Sequence, residues 1–338
     1  MKNNLFILTN ESIYIDENKN FFCDNIDLKS IPEELNEFAN VLIIGRYSNK
    51  KRSKKINLKK INIPKNIFSY LFCIFKNFKN KNDKYLIISI SPFTFFASIL
   101  LKLFLKKHFI YLRSNGFEEY KAILGWIGPS IYKIMFSMST IKASLISCRK
   151  HLLKKNNGAV VSPSQLNEKW FKNFKELNFS DNKLLYVGRL RVEKGIFSLI
   201  KILEGSKINL TIVSSERKIN IKENYKNISF INFKNNNDEI IKIYDEHKIL
   251  ILPSFTESHP QVLDEALARG RPVIIFKDIQ HVKRDREGVF VIDRNLKSLN
   301  EKINYINNNY KSINKKIKKN KLPTKKSFIR ELKKILLN

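Results

Sequence analysis

Two cations and a glycine follow an apolar run in the segment Leu184–Gly195. The run predicts a buried strand that ends at Gly188, and a helix is predicted to begin near Lys194. In open α/β sheets, ligands bind beyond the carboxyl ends of the strands. Arg189 and Lys194 could hold a diphosphate there, because Arg grips phosphate with two parallel hydrogen bonds and Lys supplies a compact charge. An ordinary loop with surface charges is the alternative, and the Gly-Lys-Ser/Thr order of a Walker A loop is absent.

Two carboxylates follow another apolar run in the segment Ile249–Pro272. The predicted strand Ile249–Leu252 leads into a loop that carries Glu257, and a helix predicted over Pro260–Arg269 carries Glu265. A carboxylate only accepts hydrogen bonds, so it suits the paired hydroxyls of a ribose or a hexose. The free N–H groups at the helix start form a site for an anion or a polarised hydroxyl oxygen. A capped amphipathic helix with exposed acids is the alternative.

The ends of this helix carry their own signals. Ser258 with Gln261 three residues later fits a capping box. Pro260 is tolerated in a first turn, where its missing N–H leaves no bond unmade, and Gly270 is a favourable stop. The sequence therefore predicts a helix that starts directly after the loop carrying Glu257.

Short apolar runs alternate with helical patterns along most of the chain. The predicted strands are Leu5–Leu8, Val41–Ile44, Tyr85–Ile90, Phe109–Leu112, Ala159–Val161, Lys183–Val187, Ile208–Val213, Ile228–Ile231, Ile249–Leu252, Pro272–Ile275 and Val289–Ile292. The predicted helices include Phe93–Leu105, Lys194–Leu203, Asp238–Glu246, Pro260–Arg269 and Leu296–Asn308. Such alternation implies parallel sheets with helices on both faces, an α/β fold class.

A polar stretch divides the chain into domains of residues 1–165 and 183–325, with a linker over 166–182 and a basic amphipathic helix over 326–338.

The two segments that carry the cations and the carboxylates resemble glycosyltransferase family 4 (glycosyl transferases group 1), whose members are retaining GT-B enzymes. The resemblance rests on Glu257 and Glu265 with seven residues between them and on the segment that runs from Gly188 to Gly195, and it covers roughly residues 183 to 295. It implies a GT-B fold, in which two Rossmann-like domains with parallel sheets face each other across a cleft. It also implies an acceptor-binding domain at residues 1–165 and a nucleotide-sugar-binding domain at residues 183–325.

The resemblance also implies roles for individual residues. Arg189 and Lys194 would neutralise the diphosphate of a nucleoside-diphosphate-sugar donor, Glu257 would contact its sugar, and Glu265 would bind its ribose. The family commonly has Gly where this chain has Ser258, and a bulky apolar residue where it has His259. His259 would therefore either touch the donor sugar or fill the apolar position, and we favour the second. The other predicted donor contacts are Gly188, Ser258, Pro260 and Gln261.

The acceptor side has weaker signals. The Gly-rich acceptor loop of the family is not visible after Leu5–Leu8. The nearest counterpart is a predicted loop after the strand Phe109–Leu112, and a plain surface turn is its alternative. The acceptor-side candidates in this loop are Arg113, Asn115, Glu118 and Glu119.

The formal net charge of +32 favours an anionic partner or a compositional drift toward lysine. Lys outnumbers Arg by 50 to 13, whereas proteins that recognise bases and phosphates in nucleic acid depend more on Arg. We therefore expect an anionic membrane surface or phosphates as partners, and no specific nucleic acid.

The sequence has no Asp-x-Asp and no metal-ligand spacing among its five histidines. We expect no metal and no cofactor beyond the nucleotide-sugar co-substrate.

Compartment signals are few. Three separated cysteines favour a reducing compartment, so we predict a cytoplasmic protein. The uncharged stretch Tyr85–Leu101 is interrupted by Pro92, which predicts a strand, a turn and a helix in place of a membrane span. The basic segment Lys315–Lys334, with the amphipathic helix at its end, would either dock on the fold or contact the inner membrane face, and the first alternative is favoured.

The sequence therefore predicts a glycosyltransferase. It would move a sugar, with retention, from a nucleoside-diphosphate-sugar to a glycan or lipid-linked acceptor in cell-surface polysaccharide or lipopolysaccharide synthesis. One alternative is a non-catalytic basic protein that binds anionic membrane or nucleic acid. Another is a related GT-B enzyme with different chemistry, such as a sugar epimerase or a phosphorylase.

Overall fold

A computed structural model of the protein describes residues 3–78, 80–174, 183–216, 226–233 and 237–337. The chain forms two compact units, of which the N-unit holds Met1–Ser162 with Lys326–Asn338 and the C-unit holds Pro163–Lys325. Of the predicted linker, residues 175–182 lie outside the described residues. Leu166 and Trp170, in its first part, are buried in the core of the C-unit.

The N-unit is built on a nine-stranded sheet whose middle is parallel. Its strands are β1 (Asn4–Ile15), β2 (Phe21–Cys23), β3 (Asn40–Ser48), β4 (Lys54–Ile56), β5 (Ile61–Asn62), β6 (Lys84–Ile88), β7 (His108–Leu112), β8 (Ser144–Ser147) and β9 (Gly158–Val160). Parallel pairing runs β5-β3-β1-β6-β7-β8-β9, and β2 and β4 extend the sheet from β1 in antiparallel pairs. Chain order therefore reverses direction between β1 and β6, which makes this a topological switch point.

Helices cover both faces of the N-unit sheet. They are α1 (Ile26–Leu35), α2 (Ile67–Phe75), α3 (Pro92–Leu103), α4 (Gly116–Leu124) and α5 (Gly128–Thr140). One core contains side chains of α1 and of the C-terminal segment, and a second core contains side chains of α2, α3 and α5. The sheet is consequently sandwiched between two apolar layers, as doubly wound folds require.

The C-unit has a six-stranded sheet in which every pairing is parallel. Its strands are β10 (Lys183–Val187), β11 (Asn209–Ser214), β12 (Ile228–Asn232), β13 (Ile249–Leu252), β14 (Val273–Phe276) and β15 (Val289–Ile292), and its helices are α6 (Ile196–Ile202), α7 (Asn237–Glu246), α8 (Gln261–Ala268), α9 (Leu296–Asn308) and α10 (Tyr310–Ile317). The strand order is β12-β11-β10-β13-β14-β15. The switch point lies between β10 and β13, so the loops after these two strands leave the sheet side by side.

Most strand predictions are confirmed, some to the residue. The bounds of β10, β13 and β15 agree with the predicted ones, and the uncharged stretch Tyr85–Leu101 splits into strand, turn and helix as expected. The helix predicted over Lys194–Leu203 is confirmed as α6 but begins two residues later, because Gly195 adopts φ +67° and separates a 3₁₀ turn from α6. The strands and helices that were not predicted are β2, β4, β5 and β8 and α1, α2, α4, α5 and α10.

The basic C-terminal segment docks on the fold. Its helix, α11 (Lys325–Leu337), buries Phe328, Ile329, Leu332 and Leu336 in a core of the N-unit. Within the described residues, no helix is both long enough and apolar enough to cross a bilayer. The apolar stripe of α11 is thus occupied by its own fold, as the favoured alternative expected.

A buried charge cluster fixes α7 against the end of α8. Asp245 accepts two bonds from Arg269, at 2.9 Å from Nε and 2.7 Å from Nη2, and Arg271 Nε donates to the Tyr244 carbonyl at 3.0 Å. Both guanidinium groups are almost completely buried. The cluster therefore holds Tyr244 next to α8, which carries Glu265.

Replacing Asp245→Ala should lower the free energy of unfolding by about 3 kcal/mol, because two buried cations would lose their carboxylate. Urea denaturation monitored by circular dichroism measures this change. Glu246→Ala is the matched control, since the Glu246 side chain is half exposed and its contact with Lys242 is long, at 3.9 Å. Its expected change is below about 0.5 kcal/mol. Equal unfolding midpoints for the two variants would show that the cluster is not a structural support.

Candidate functional site

Two adjacent loops at the C-unit switch point bring two of the predicted residues, Lys194 and Glu257, into contact. The first loop, residues 188–195, follows β10, and the second loop, residues 253–260, follows β13. Their strands are hydrogen-bonded neighbours, with Leu184 opposite Ile249 and Leu185 opposite Leu250. Because both strands are parallel, both loops emerge at the carboxyl edge of the sheet, where α/β proteins bind ligands.

The two loops are in direct backbone contact. Gly195 lies so close to the second loop that an added Cβ would be 1.8 Å from the Pro253 carbonyl oxygen. Its φ of +67° lies in the left-handed region, which costs little only for glycine. Phe255 N also donates to the Glu193 carbonyl at 3.0 Å. Gly195 therefore allows the two loops to pack as one surface.

Lys194 and Glu257 form an ion pair across the two loops. Lys194 Nζ donates to Glu257 Oε1 at 2.6 Å, and Ser254 Oγ donates to the same oxygen at 2.8 Å. The side chains of Lys194 and Glu257 are 23% and 11% exposed. Among the described residues, no donor bonds Glu257 Oε2. The pair thus presents one cation and one carboxylate oxygen at the junction of the loops.

Arg189 lies on the first loop with its side chain exposed. Within the described part of the chain, no carboxylate pairs with its guanidinium. Its backbone is fixed, since Tyr186 Oη donates to the Arg189 carbonyl at 2.6 Å. The next residue, Leu190, is held by its N–H, which donates to Glu216 Oε2 at 2.7 Å. The loop backbone is therefore anchored while the Arg189 charge remains open to an anion.

Glu265 lies on α8 and is held by Tyr244, whose hydroxyl donates to Glu265 Oε2 at 2.9 Å. Burial raises the pKa of the Glu265 carboxyl to about 7, against the lowering effect of the Tyr244 hydrogen bond, and Asp264 raises the pKa further. The residue is partly buried, and a carboxyl with one fixed donor can still accept a bond at its other oxygen. A raised pKa of this origin is typical of functional sites.

Arg294, Asp278 and His281 support the second loop, and the sequence analysis did not predict them. Arg294 lies 4.2 Å from the Phe255 ring centre, donates to Asp278 at 2.7 Å and reaches the Ser254 carbonyl at 3.3 Å. His281 Nε2 is 2.8 Å from the Glu257 carbonyl. Asp278 and Arg294 each follow a predicted strand by a few residues, so their place at the carboxyl edge was the available signal.

The predicted capping box of Ser258 and Gln261 is wrong. The helix α8 begins at Gln261, and Pro260 is its N-cap with extended backbone angles. Ser258 is therefore too far upstream to cap it and remains in the second loop. The predicted stop is confirmed, because Gly270 follows α8 with φ +67°.

The exposed acids of the alternative interpretation are not observed on this helix. Asp264 is buried, and Arg286 Nη2 lies 2.8 Å from its Oδ1. The side chain of His259 is 4% exposed, and its Nε2 is 3.3 Å from Asp264 Oδ2. His259 thus occupies an internal position beside this ion pair.

Two of the four acceptor-side candidates, Arg113 and Glu119, line a cavity at the N-unit switch point. This cavity of about 570 Å³ is lined by residues of β1 and α4 and of the segments that follow β6 and β7. Arg113 is oriented by Glu11 at 3.4 Å and Asp27 at 3.7 Å. The predicted loop is in part helical, because α4 begins at Gly116 with Asn115 as its N-cap and Glu118 and Glu119 in its first turn. Asn115 and Glu118 are not among the residues that line the cavity.

The arrangement in the C-unit suits a ligand with both anionic and hydroxyl groups. Arg189 and Lys194 supply positive charge on one loop, and Glu257 and Glu265 supply carboxylate oxygens from the other loop and its helix. Among the described residues, no group of three or more His, Cys, Asp or Glu is placed to hold a metal ion.

Comparisons with known proteins agree with this fold. Residues 168–322 match the sequence model of the family described as glycosyl transferases group 1. A 133-residue stretch is 29% identical to an uncharacterized glycosyltransferase of Methanocaldococcus jannaschii, MJ1607, and spans 35% of this chain and 34% of that protein. The chain therefore aligns with only about a third of this relative's length.

Two solved structures share the fold over nearly the whole chain. Anabaena Alr3699/HepE, in complex with UDP and glucose, has a TM-score of 0.69 at 11% identity and coverage of 99% of both chains. WaaG, a glycosyltransferase involved in lipopolysaccharide biosynthesis, has a TM-score of 0.67 at 14% identity and coverage of 98% of this chain and 99% of its own. The chain has the GT-B fold, with two Rossmann-like units and parallel sheets, as the sequence predicted.

Replacing Gly195→Ala should lower the free energy of unfolding by at least about 2 kcal/mol, since the left-handed angle and the displaced Pro253 carbonyl both cost energy. Gly205→Ala is the matched control, because Gly205 has φ +71° with nothing within 4 Å of an added Cβ. The difference between the two variants in urea denaturation isolates the loop contact. If both variants lost equal stability, the close packing of the loops would contribute nothing to the free energy of unfolding.

Proposed function

We propose that this protein is a retaining glycosyltransferase of family 4 that moves a sugar from a nucleoside-diphosphate-sugar to a glycan or lipid-linked acceptor. The observation that carries the proposal is the Lys194–Glu257 pair at the C-unit switch point. It joins the two segments that resemble the family's diphosphate-binding and sugar-binding stretches. The match of residues 168–322 to glycosyl transferases group 1 supports the same activity.

The donor diphosphate would bind at the first loop. Arg189 is exposed and has no carboxylate partner among the described residues, so its guanidinium can take two phosphate oxygens in parallel. Lys194 already lies within 2.6 Å of Glu257, and a bound phosphate would share its ammonium group. Gly188, between β10 and Arg189, lets the diphosphate approach the backbone closely.

The donor's hydroxyl groups would bind at the two carboxylates. Glu257 Oε2 is available to a sugar hydroxyl while Lys194 and Ser254 hold Oε1. Glu265 would accept from the ribose hydroxyls while Tyr244 holds Oε2. Ser258, Pro260 and Gln261 line the chain between the two acids and would contact the donor through the loop backbone and the first N–H groups of α8.

The chemistry would depend on charge stabilisation at the leaving group. As the glycosidic bond breaks, negative charge accumulates on the diphosphate, and Arg189 and Lys194 would stabilise it. The departing phosphate oxygen would then take the proton of the attacking acceptor hydroxyl on the same face of the sugar, which retains the anomeric configuration. The sequence has no Asp-x-Asp, so we propose that no resident metal ion shares this role.

The acceptor would bind at the N-unit cavity. Arg113 and Glu119 line it together with backbone and hydroxyl groups of β1 and of the segment after β6, which are suitable partners for a glycan. The fold shared with WaaG supports an acceptor in cell-surface polysaccharide or lipopolysaccharide synthesis. Such an acceptor would place the protein in the cytoplasm, at the inner membrane face.

A non-catalytic basic binding protein is the second candidate, favoured by the net charge of +32. The two candidates differ in donor binding. A panel of nucleotide sugars tested by thermal shift should contain one that raises the melting temperature, since a ligand at 100 times its Kd adds about 2.7 kcal/mol. Incubation with that donor and product analysis then separate transfer or hydrolysis from epimerisation. If no donor shifts the melting temperature and none is consumed, the glycosyltransferase proposal fails.

Replacing Arg189→Ala or Lys194→Ala should lower turnover by about 100-fold or more, as the loss of an oriented charge stabiliser commonly does. The initial rate of donor hydrolysis or transfer measures the effect. Lys201→Ala, an exposed lysine on α6, is the control and should keep the wild-type rate. Full activity in both loop variants would refute the diphosphate role.

Donor affinity should rise as the pH increases through about 7. The raised pKa means that Glu265 is mainly protonated below this value, whereas the ribose hydroxyls bind the ionised form better. Glu265→Gln should weaken donor binding by about 1–3 kcal/mol at pH 8 and flatten this pH dependence. Titration calorimetry with a nucleotide sugar at pH 6, 7 and 8 tests both effects. An unchanged affinity at pH 8 would contradict the ribose role.

A further inference from the structure

The helices on one face of the N-unit expose many apolar side chains. Of the 24 large apolar side chains that are exposed among the described residues, 15 lie on α2, α3, α4 and α5 or at their ends. Trp126, between α4 and α5, is 88% exposed, and Ile123 beside it is 73% exposed. Contiguous exposed apolar surface of this kind marks an interaction site.

The helix α5 carries apolar side chains on both of its faces. Tyr132, Met135 and Phe136 are buried in the N-unit core. Ile134 and Met138, on the opposite face, are 61% and 42% exposed. Polar residues are exposed beside them, namely Ser130, Lys133 and Ser137. The outer face of α5 is therefore amphipathic, and such a face suits a partner with both apolar and polar groups.

The exposed surface continues from α5 to the ends of α3 and α2. Lys102 Nζ donates to the Met138 carbonyl, which joins the end of α3 to the end of α5. Leu103 and Leu105, beside Lys102, are 74% and 82% exposed. The Phe104 ring lies 5.3 Å from Phe75 of α2. We call this surface, from Trp126 along α5 to Leu103, Leu105 and Phe75, the apolar face.

The charge around the apolar face is mainly positive, with Glu118 and Glu119 at the start of α4 as acids on its helices. The ranges 64–78, 91–107 and 120–142, which contain α2, α3, most of α4 and α5, include eight lysines and no Asp or Glu. A lysine can bury its aliphatic stem while its ammonium group reaches phosphates. A symmetric contact between two copies would bring lysines opposite lysines, which is unfavourable. An anionic lipid surface complements both the apolar and the charged groups.

We propose that the apolar face inserts into the surface of an anionic lipid bilayer, and that a lipid-linked acceptor reaches the N-unit cavity from that bilayer. The access of the acceptor to the cavity is inferred from Ile123 and Leu124, because both are exposed and both also line the cavity. A polar head group could therefore enter the cavity while its lipid chain stays in the membrane. Trp126 stands where aromatic side chains accumulate, at the boundary between lipid and water. This inference rests on the proposed function only in assigning the acceptor to the cavity.

Tryptophan fluorescence of the full chain tests the docking directly. The chain has two tryptophans, and Trp170 is buried in the C-unit. Vesicles of phosphatidylcholine and phosphatidylglycerol at 7:3 should shift the emission to shorter wavelength, and acyl-brominated lipid should quench it. In Trp126→Phe both signals should disappear. Equal binding to pure phosphatidylcholine, or no emission change with anionic vesicles, would overturn the proposal.

Matched variants separate the apolar face from general surface properties. Ile134→Ser with Met138→Ser should lower vesicle partitioning about tenfold or more, because apolar area no longer inserts. Phe38→Ser with Tyr305→Ser removes two exposed aromatic side chains elsewhere and should change nothing. Equal losses in both double variants would refute the assigned face. A dimer in sedimentation velocity without vesicles, broken by the first pair, would instead identify a second copy as the partner and overturn the lipid assignment.

The lysines are tested in the same assay. Lys121→Gln with Lys133→Gln should lower partitioning about 25-fold, roughly fivefold for each lysine near an anionic surface. Lys315→Gln with Lys316→Gln, on α10, should keep the wild-type partitioning, and a larger loss there than at the apolar face would refute the assignment.

Vesicle binding requires no turnover, and donor hydrolysis without lipid requires no membrane. A protein that hydrolyses donor but ignores vesicles would refute only the docking face, and the reverse result would refute only the glycosyltransferase.

Discussion

The candidate donor site depends on the contact between two loops at the switch point of the C-unit. Parallel pairing of β10 and β13 places the loops side by side, but only glycine at 195 allows them to touch, because a Cβ there would overlap the Pro253 carbonyl. The contact brings Lys194 within hydrogen-bond distance of Glu257. The pairing of β10 with β13 and the absence of a side chain at Gly195 therefore allow a charged pair that neither loop could form alone.

Buried charge in the C-unit serves to position this pair and Glu265. Arg269 and Asp245 tie α7 to the end of α8, which places the Tyr244 hydroxyl on Glu265. Arg294 likewise holds the second loop from a different strand end. Buried ion pairs contribute little net stability compared with apolar packing, so their value here is geometric. The same burial raises the pKa of Glu265, which means that the supports of the site also set its protonation.

The sequence predicts the parts of this architecture that have a local signal. β10, β13 and β15 are short apolar runs between turn residues, because parallel strands are buried on both faces, and their bounds were predicted correctly. Arg189, Lys194, Glu257 and Glu265 were found by chemistry and spacing. Tyr244 and Arg294 were missed because their contacts join segments distant in the chain. The helix α5 was missed for another reason: Ile131, Ile134 and Met138 are apolar on its exposed face, which weakens its amphipathic pattern.

The distribution of acids distinguishes compositional drift from a functional surface. Drift toward lysine raises positive charge everywhere, but it does not remove acids from particular helices. The 31 acidic residues of the chain would place about five in a random set of 55 positions, whereas the three ranges beside the apolar face have none, and α4 adds only Glu118 and Glu119 in its first turn. The opposite face of the N-unit sheet is covered by α1 and α11, and α1 carries several acids. Charge and exposed apolar area thus coincide on one face of one unit, which a uniform bias in composition does not produce.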